Sequence, residues 1–246
     1  MSGIKSTYLL FILVMLAGVY ACEDAPNFSD TPKIEFNNVI FKDDPDAGDA
    51  DSLIVIIDFE DGDGNLGLGE SETQPPFNQK TYYSNKTGAP FNFGSETLED
   101  LLIFDNSRSI DSLPDYAGDA ICLYWDTNPQ LFLADGTQLD DTVYFQFNPR
   151  HNNLLIDFYV NEGDGFEKFE WTLRNDCLPL ISRFPILNDD GGDRPLEGTI
   201  RYSIQSLGFK TFFKENLVKV RITLIDRAGN YSNTVESPPF RLSDID

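Results

Sequence analysis

The chain contains 246 residues and carries a formal net charge of −23, from 41 acidic and 18 basic side chains. A surface this acidic repels phosphate backbones, which argues against nucleic acid as a partner, and it attracts divalent cations. The length is sufficient for one elaborated domain or for two small ones.

The N-terminus has the pattern of an export signal. Residues 1–21 contain one charged side chain, Lys5, before the apolar run YLLFILVMLAGVYA, which has the length of a signal-peptide core and is short for a membrane span. Small Ala21 precedes Cys22, and Val19 occupies the −3 position. This site resembles that of bacterial lipoproteins, and the resemblance implies lipidation of Cys22 and attachment to a membrane through that lipid. Ordinary secretory cleavage before Cys22 is the alternative.

The residues after the cysteine are polar and acidic. Glu23 and Asp24 follow Cys22 directly, and this arrangement resembles the acidic export tag of surface lipoproteins in Bacteroidota. The resemblance implies an outer-membrane lipoprotein that faces the cell exterior. On composition alone, residues 22–32 are predicted to form a flexible tether.

Seven strand-like segments follow the tether. Each is rich in β-branched or aromatic residues, and most are bounded by Gly, Asn, Asp or Pro. They span residues 33–41, 52–60, 153–160, 165–173, 197–205, 216–225 and 233–242. This number of strands predicts an all-β domain over residues 33–246, an antiparallel β-sandwich of the immunoglobulin or fibronectin type III kind. Pro238 and Pro239 restrict the last strand to a sheet edge.

A long insertion, at about residues 66–150, separates the second and third predicted strands. It contains a possible short helix at 95–104 and strand-like runs at 120–125 and 142–147. An insertion of this length is not expected to be structureless in a compact domain. We expect it to pack against one side of the sandwich, and a separate second domain is the alternative.

Two cysteines remain if Cys22 carries lipid. An exported chain permits Cys122 and Cys177 to form a disulfide, which would stabilise the fold by a few kcal/mol. Two free buried thiols are the alternative.

The stretch DFEDGDGNLGLGE, residues 58–70, places several carboxylates among glycines directly after a predicted strand. Asp61, Asp63 and Asn65 match the first, third and fifth positions of an EF-hand calcium loop. Leu66 replaces the glycine of that loop, and the flanking sequence is not helical. The stretch is therefore not an EF-hand, although its oxygens remain candidate ligands for a metal ion.

A second polar turn, IDRAGNYSN at 225–233, joins the sixth and seventh predicted strands. In a seven-strand sandwich this turn and the first acidic loop lie at the same end, because each strand reverses the direction of the chain. The predicted metal ligands are Asp58, Asp61, Asp63, Asn65, Asp226 and Asn230, and the predicted ion is a structural Ca²⁺, which prefers oxygen ligands. Plain solvated turns are the alternative, because Asp, Asn and Gly are common turn residues. The run 188–194 is either a second ion site or a solvated loop.

FEDGDGNLGL followed by DRAGN resembles a group of Bacteroidota surface lipoproteins of unknown function with immunoglobulin-like domains. The second motif is also similar to the D-x-A-G-N turn of bacterial immunoglobulin-like repeats, which occur in adhesins and in calcium-stiffened stalks. The resemblance implies the fold and the cellular address, and it adds little about function.

Sequence signals for catalysis are few. His151 is the only histidine, and no nucleophile or phosphate-binding motif is present. We therefore predict a non-catalytic, calcium-stabilised cell-surface lipoprotein that acts as a binding or structural module, with a glycan or another surface protein as a possible partner. One alternative is a glycan-binding component of an outer-membrane uptake system, with Trp125 as the candidate ligand contact. A glycoside hydrolase is the third possibility, because it needs only two carboxylates.

Overall fold

The computed structural model describes residues 26–43, 51–107, 113–116, 121–188, 194–206, 208–213 and 215–245. The predicted signal peptide, Cys22 and most of the acidic run 188–194 lie outside these residues. Within the described part of the chain, no helix is both long enough and apolar enough to cross a membrane.

The described residues are organised mainly as β-strands. In chain order the strands are β1 (Lys33–Lys42), β2 (Asp51–Asp61), β3 (Lys80–Tyr82), β4 (Trp125–Asp126), β5 (Val143–Phe147), β6 (Leu154–Asn161), β7 (Phe166–Phe169), β8 (Leu196–Ser206), β9 (Leu217–Leu224) and β10 (Val235–Glu236). The helices are short: α1 (Phe104–Ser107), α2 (Ile121–Tyr124), α3 (Trp171–Arg174) and α4 (Phe209–Phe213), with 3-10 turns at Leu98–Asp100, Pro149–His151 and Leu242–Asp244.

Three antiparallel sheets result. One has the strand order β1-β2-β8, a second has the order β10-β9-β6-β7, and a small third sheet has the order β3-β5-β4. The predicted all-β class is confirmed. The inner faces of the first two sheets share one hydrophobic cluster, in which Leu53, Val55 and Ile57 of β2 and Val218, Val220, Ile222 and Leu224 of β9 are almost completely buried. Alternate residues of a strand point to the same face, and this alternation places these side chains together.

Several predicted strands differ in extent from the observed ones. The seventh predicted strand reduces to β10, an edge strand of two residues followed by Pro238 and Pro239. Proline has no N–H group to donate to a neighbouring strand, which explains the early end. The segment predicted as a strand at 165–173 forms β7 only as far as Phe169, and α3 follows it.

The insertion forms the third sheet and two hydrophobic clusters of its own. One cluster contains Phe91, Leu101, Leu139 and Val143, and the other contains Leu102, Trp125 and Tyr144. The prediction of a strand at 120–125 was wrong, because Ile121–Tyr124 is helical and only Trp125 joins the sheet. A short apolar run does not distinguish strand from helix by its periodicity. The helix predicted at 95–104 is a 3-10 turn at Leu98–Asp100, and α1 begins at Phe104.

Polar and covalent contacts attach this insertion to the rest of the molecule. The Arg227 guanidinium donates two hydrogen bonds to the carboxylate of Glu72, each 2.6 Å long. Arg183 Nη2 donates to the carbonyl oxygens of Gly69 and Glu72 at 2.9 and 3.0 Å. A disulfide joins Cys122 of α2 to Cys177, with a Cα–Cα distance of 5.6 Å.

Candidate metal centre

Three carboxylates meet where β2 and β9 end. Asp61 is the last residue of β2, Asp63 follows in the next loop, and Asp226 lies just after β9. One carboxylate oxygen of each residue lies within 4.8 Å of the corresponding oxygen of the other two. The two polar turns predicted to lie at one end of the domain therefore do come together.

Asp61 is buried among these groups without a hydrogen-bond partner. Its side chain is 0% exposed, and neither carboxylate oxygen accepts a hydrogen bond. Burial, together with the charges of Asp63 and Asp226, raises the pKa of Asp61 to about 7. The backbone N–H groups of Gly64 and Asn65 offset this rise only in part, and neither forms a hydrogen bond with the carboxylate. A buried carboxylate without a partner lowers the stability of the folded state. Binding of a proton or a cation at Asp61 would remove this penalty.

Asp63 and Asn65 form a compact polar pair beside Asp61. The Asn65 side-chain amide donates to Asp63 Oδ2 at 2.6 Å, and the Asn65 backbone N–H donates to Asp63 Oδ1 at 3.3 Å. Partial burial is the main cause that raises the pKa of Asp63. Asn65 Oδ1 is buried and accepts no hydrogen bond. This oxygen is thus a fourth candidate ligand, as the sequence predicted for Asn65.

Asp226 is held by its own turn. Its Oδ1 accepts hydrogen bonds from the backbone N–H groups of Gly229 (2.6 Å) and Asn230 (2.7 Å), and its Oδ2 accepts one from the Asn230 side-chain amide at 2.7 Å. Asn230 therefore orients Asp226 by donating to it. The structure gives the predicted ligand Asn230 a supporting position behind Asp226.

Packing fixes the loop that follows β2. Leu66 is 0% exposed within the main core, and its carbonyl oxygen accepts a hydrogen bond from the Leu187 N–H at 3.1 Å. Gly64 has a φ of +66°, and a Cβ atom there would lie only 2.2 Å from the Arg194 carbonyl oxygen. The loop is thus anchored by a buried leucine and by a position that only glycine fits. A plain solvated turn would need neither feature.

The donor set fits a hard cation. Carboxylate and amide oxygens are the ligands that Ca²⁺ and Mg²⁺ prefer, whereas zinc sites use mainly His and Cys. The unpaired oxygens of Asp61 and Asn65 are available to such an ion without the loss of a hydrogen bond.

Asp58 is placed elsewhere, and its inclusion among the predicted ligands needs correction. Its carboxylate accepts hydrogen bonds from Thr199 Oγ1 at 2.6 Å and from Asn37 Nδ2 at 2.8 Å. These bonds lower the pKa of Asp58. Asp58 and Asp61 are three positions apart on one strand, so their side chains point to opposite faces of the sheet. Only Asp61 points inward.

Trp125 also differs from its predicted role. The side chain is only 3% exposed, packs against Phe104, Tyr116 and Tyr144, and donates from Nε1 to the Pro114 carbonyl oxygen at 3.0 Å. The prediction of a ligand contact at Trp125 was therefore wrong, because neither ring face is open to a sugar. Burial dominates the placement of large aromatic side chains in such clusters.

The structure adds one residue that the sequence analysis missed. Arg227 directly follows Asp226, and its guanidinium binds Glu72 of the insertion while its backbone N–H faces the Asn65 carbonyl oxygen at 3.4 Å. The pair holds the pKa of Glu72 at about 2, chiefly through the hydrogen bonds from Arg227. The only sequence signal was a basic residue within an acidic turn. Among the described residues, Arg227 thus connects the carboxylate cluster to the base of the insertion.

Comparison with known proteins identifies no matching family model, no matching curated protein and no matching solved structure. The carboxylate cluster is therefore the feature of this protein that bears most directly on its function.

Proposed function

We propose that this chain is a non-catalytic, exported lipoprotein module whose two main sheets are held together at one end by a structural Ca²⁺ ion. The proposed ligands are Asp61, Asp63, Asn65 and Asp226. The observation that carries the proposal is Asp61, a completely buried carboxylate whose two oxygens have no hydrogen-bond partner. Its position between two further carboxylates is unfavourable unless a positive charge joins them.

A cation accounts for the cluster better than a proton does. A proton on Asp61 would remove one charge below about pH 7, but it would leave Asp63 and Asp226 facing each other across a buried group. Ca²⁺ accepts about six to eight oxygen ligands in flexible geometry, so it tolerates carboxylates that also accept hydrogen bonds. Mg²⁺ demands a more regular octahedron, which makes calcium the favoured ion.

The strand order supports a finer assignment of fold. The strands β1, β2 and β8 correspond to strands A, B and E of an immunoglobulin-like sandwich, and β6, β9 and β10 correspond to C, F and G. The remaining strand, β7, pairs with β6, whereas a constant-type immunoglobulin domain places its fourth strand beside strand E. We therefore propose an immunoglobulin-like sandwich closer to the fibronectin type III kind.

The proposed role is a surface module that presents its insertion to another surface protein. The predicted lipidation of Cys22 and the acidic residues Glu23 and Asp24 after it support an outer-membrane address that faces the cell exterior. Burial of Asp61 supports a structural ion over a catalytic one, because a substrate would have to reach the metal. The glycan-binding alternative requires an exposed aromatic platform. The burial of Trp125 removes the first candidate for it, although Phe93 and Phe132 of the insertion are 56% and 59% exposed.

The test is thermal unfolding of the mature chain in EDTA and then in millimolar CaCl₂ or MgCl₂. Ligand at about a hundred times its dissociation constant stabilises a fold by about 2.7 kcal/mol, which corresponds to a shift of about 5 to 10 °C for a chain of this size. We expect Asp63→Asn to reduce the rise in melting temperature that calcium causes, which we call the calcium shift. The matched variant Asp58→Asn is expected to preserve it. A wild-type midpoint that calcium leaves unchanged would overturn the proposal.

A further inference from the structure

The segment that precedes β1 runs beside the acidic loop. We name it segment 28–31. β1 and β2 are paired from Lys33 opposite Glu60, and beyond this pair the Gly62 N–H donates to the Ser29 carbonyl oxygen at 2.8 Å. A Cβ atom on Gly62 would lie 2.5 Å from the Phe28 carbonyl oxygen. Gly62 thus permits a close approach between segment 28–31 and the loop that carries the predicted ligands.

This approach brings a further carboxylate near the cluster, because Asp30 directly follows Ser29, whose carbonyl oxygen accepts the hydrogen bond from Gly62. Asp30 is exposed, and its charge contributes to the raised pKa of Asp63, after the larger effects of burial and of Asp226. In the absence of a cation, Asp30 and Asp63 therefore repel each other. With a divalent cation at the cluster the same contact becomes attractive, because the ion reverses the local field.

The chain is held firmly just after segment 28–31, at the start of β1, and more weakly within the segment itself. At the firm end, the Asn233 side chain exchanges two hydrogen bonds with the backbone of Ile34, each 2.8 Å long. On the other side, the hydrogen bond from Gly62 holds the segment against the loop, and Phe28 is half-buried. Release of the segment would thus leave β1 in place.

We propose that a cation bound by Asp61, Asp63 and Asp226 also fastens segment 28–31 to the body of the protein, with Asp30 as a fourth acidic group that faces the ion. This inference rests on the proposed calcium site. Its independent support is the close approach of segment 28–31 to Gly62, which lies between Asp61 and Asp63. Residues 22–32 were predicted to be a uniform flexible tether, and the contacts of segment 28–31 place its last residues against the body instead. The ion would therefore determine the length of flexible tether between Cys22 and the folded domain.

The test is hydrogen exchange of the mature chain, followed at the amides of residues 28–31 and Gly62, in EDTA and in millimolar calcium. We expect calcium to slow exchange at these amides by on the order of tenfold, which corresponds to about 1.4 kcal/mol. The amide of Ile34 serves as an internal reference, since Asn233 holds it in either condition. Its exchange is expected to change much less.

Two variants and a matched control decide the role of Asp30. Asp30→Asn is expected to remove most of the calcium-dependent protection of segment 28–31 and to weaken calcium binding several-fold in titration calorimetry. Gly62→Ala keeps every carboxylate but blocks the close approach, and we expect the same loss of protection. Glu35→Gln removes one negative charge from an exposed position on β1 and is expected to change neither quantity.

The outcomes separate this inference from the proposed function. Calcium binding with unchanged exchange in segment 28–31, or equal behaviour of Asp30→Asn and Glu35→Gln, would overturn the fastening of the segment and leave the calcium module intact. Absence of calcium binding by the wild-type chain would overturn both.

Discussion

Asp61 ends a strand of one main sheet and Asp226 follows a strand of the other, and yet one carboxylate oxygen of each lies within 4.8 Å of the other at one end of the shared core. Asp226 is satisfied by three hydrogen bonds from its own turn, whereas Asp61 has none. Without a cation, repulsion between these two carboxylates opposes the packing of the two sheets at this end. With a bound cation, the same two residues would stabilise that packing.

Replacement of Asp61 is expected to raise the melting temperature in EDTA and to abolish the further rise that calcium causes. Asp61→Asn removes a buried charge and supplies an amide that can donate to Asp63 and Asp226. We therefore expect the variant to melt above the wild type in EDTA at pH 8, and to lose the calcium-induced shift. Calorimetric or fluorescence-detected melting measures both quantities. A variant that melts below the wild type in EDTA would show that the Asp61 charge is compensated in the ion-free state.

The ion-free protein is expected to lose stability as pH rises from about 4 to 7. Over this interval the folded state binds a proton at Asp61, whose pKa is about 7, and the unfolded state, with a pKa near 3.8, does not. Stability falls with pH wherever the folded state binds more protons. The difference between wild type and Asp61→Asn in EDTA isolates this contribution from that of other carboxylates. In calcium, stability is expected to rise with pH instead, because protons compete with the ion for Asp61. The calcium shift should therefore shrink below pH 7.

Asp63 and Asp226 are expected to contribute differently to the ion-free fold. Asp226→Ala leaves the backbone N–H group of Asn230 without its acceptor, at a cost of about 1–3 kcal/mol if that group stays buried. The Gly229 N–H keeps the Asp226 carbonyl oxygen as an acceptor at 3.2 Å. Asp63→Ala removes the acceptor of two hydrogen bonds from Asn65 but also removes a repulsive neighbour of Asp61, so it should destabilise the ion-free fold less than Asp226→Ala does. Denaturant titration in EDTA measures the free energy of unfolding of each variant. Equal destabilisation by the two substitutions would argue against a distinct structural role for the Asp226 turn.

Reduction of the Cys122–Cys177 disulfide is expected to lower the free energy of unfolding by about 2–4 kcal/mol, mainly through greater freedom of the unfolded chain. Because the bridge lies in the insertion and after β7, the calcium shift should persist in the reduced protein. Melting of the Cys122→Ser/Cys177→Ser variant, with and without calcium, checks both expectations. Loss of the calcium response in that variant would reveal coupling between the bridge and the carboxylate cluster.

Much of the architecture was accessible from local sequence patterns. The alternation in β9 and the apolar run of β2 identified two central strands, and the reversal of direction at each strand predicted that the loops after them would meet. Asp61, Asp63 and Asp226 were named on that basis, and the structure brings them together. Asp58 was included because it lies in the same acidic stretch, but alternation along β2 places its side chain on the opposite face from that of Asp61.

Other features depended on contacts that no local pattern contains. The sequence could not show that Trp125 is enclosed by aromatic neighbours, that Asn230 donates to Asp226, or that Arg227 reaches Glu72. Local composition by itself determined the central strands, the polar turns and the acidic character of this protein, because backbone propensity and side-chain alternation act over a few residues. Tertiary packing alone decided which carboxylate was deprived of water and hydrogen bonds, because desolvation depends on every segment that closes around the group.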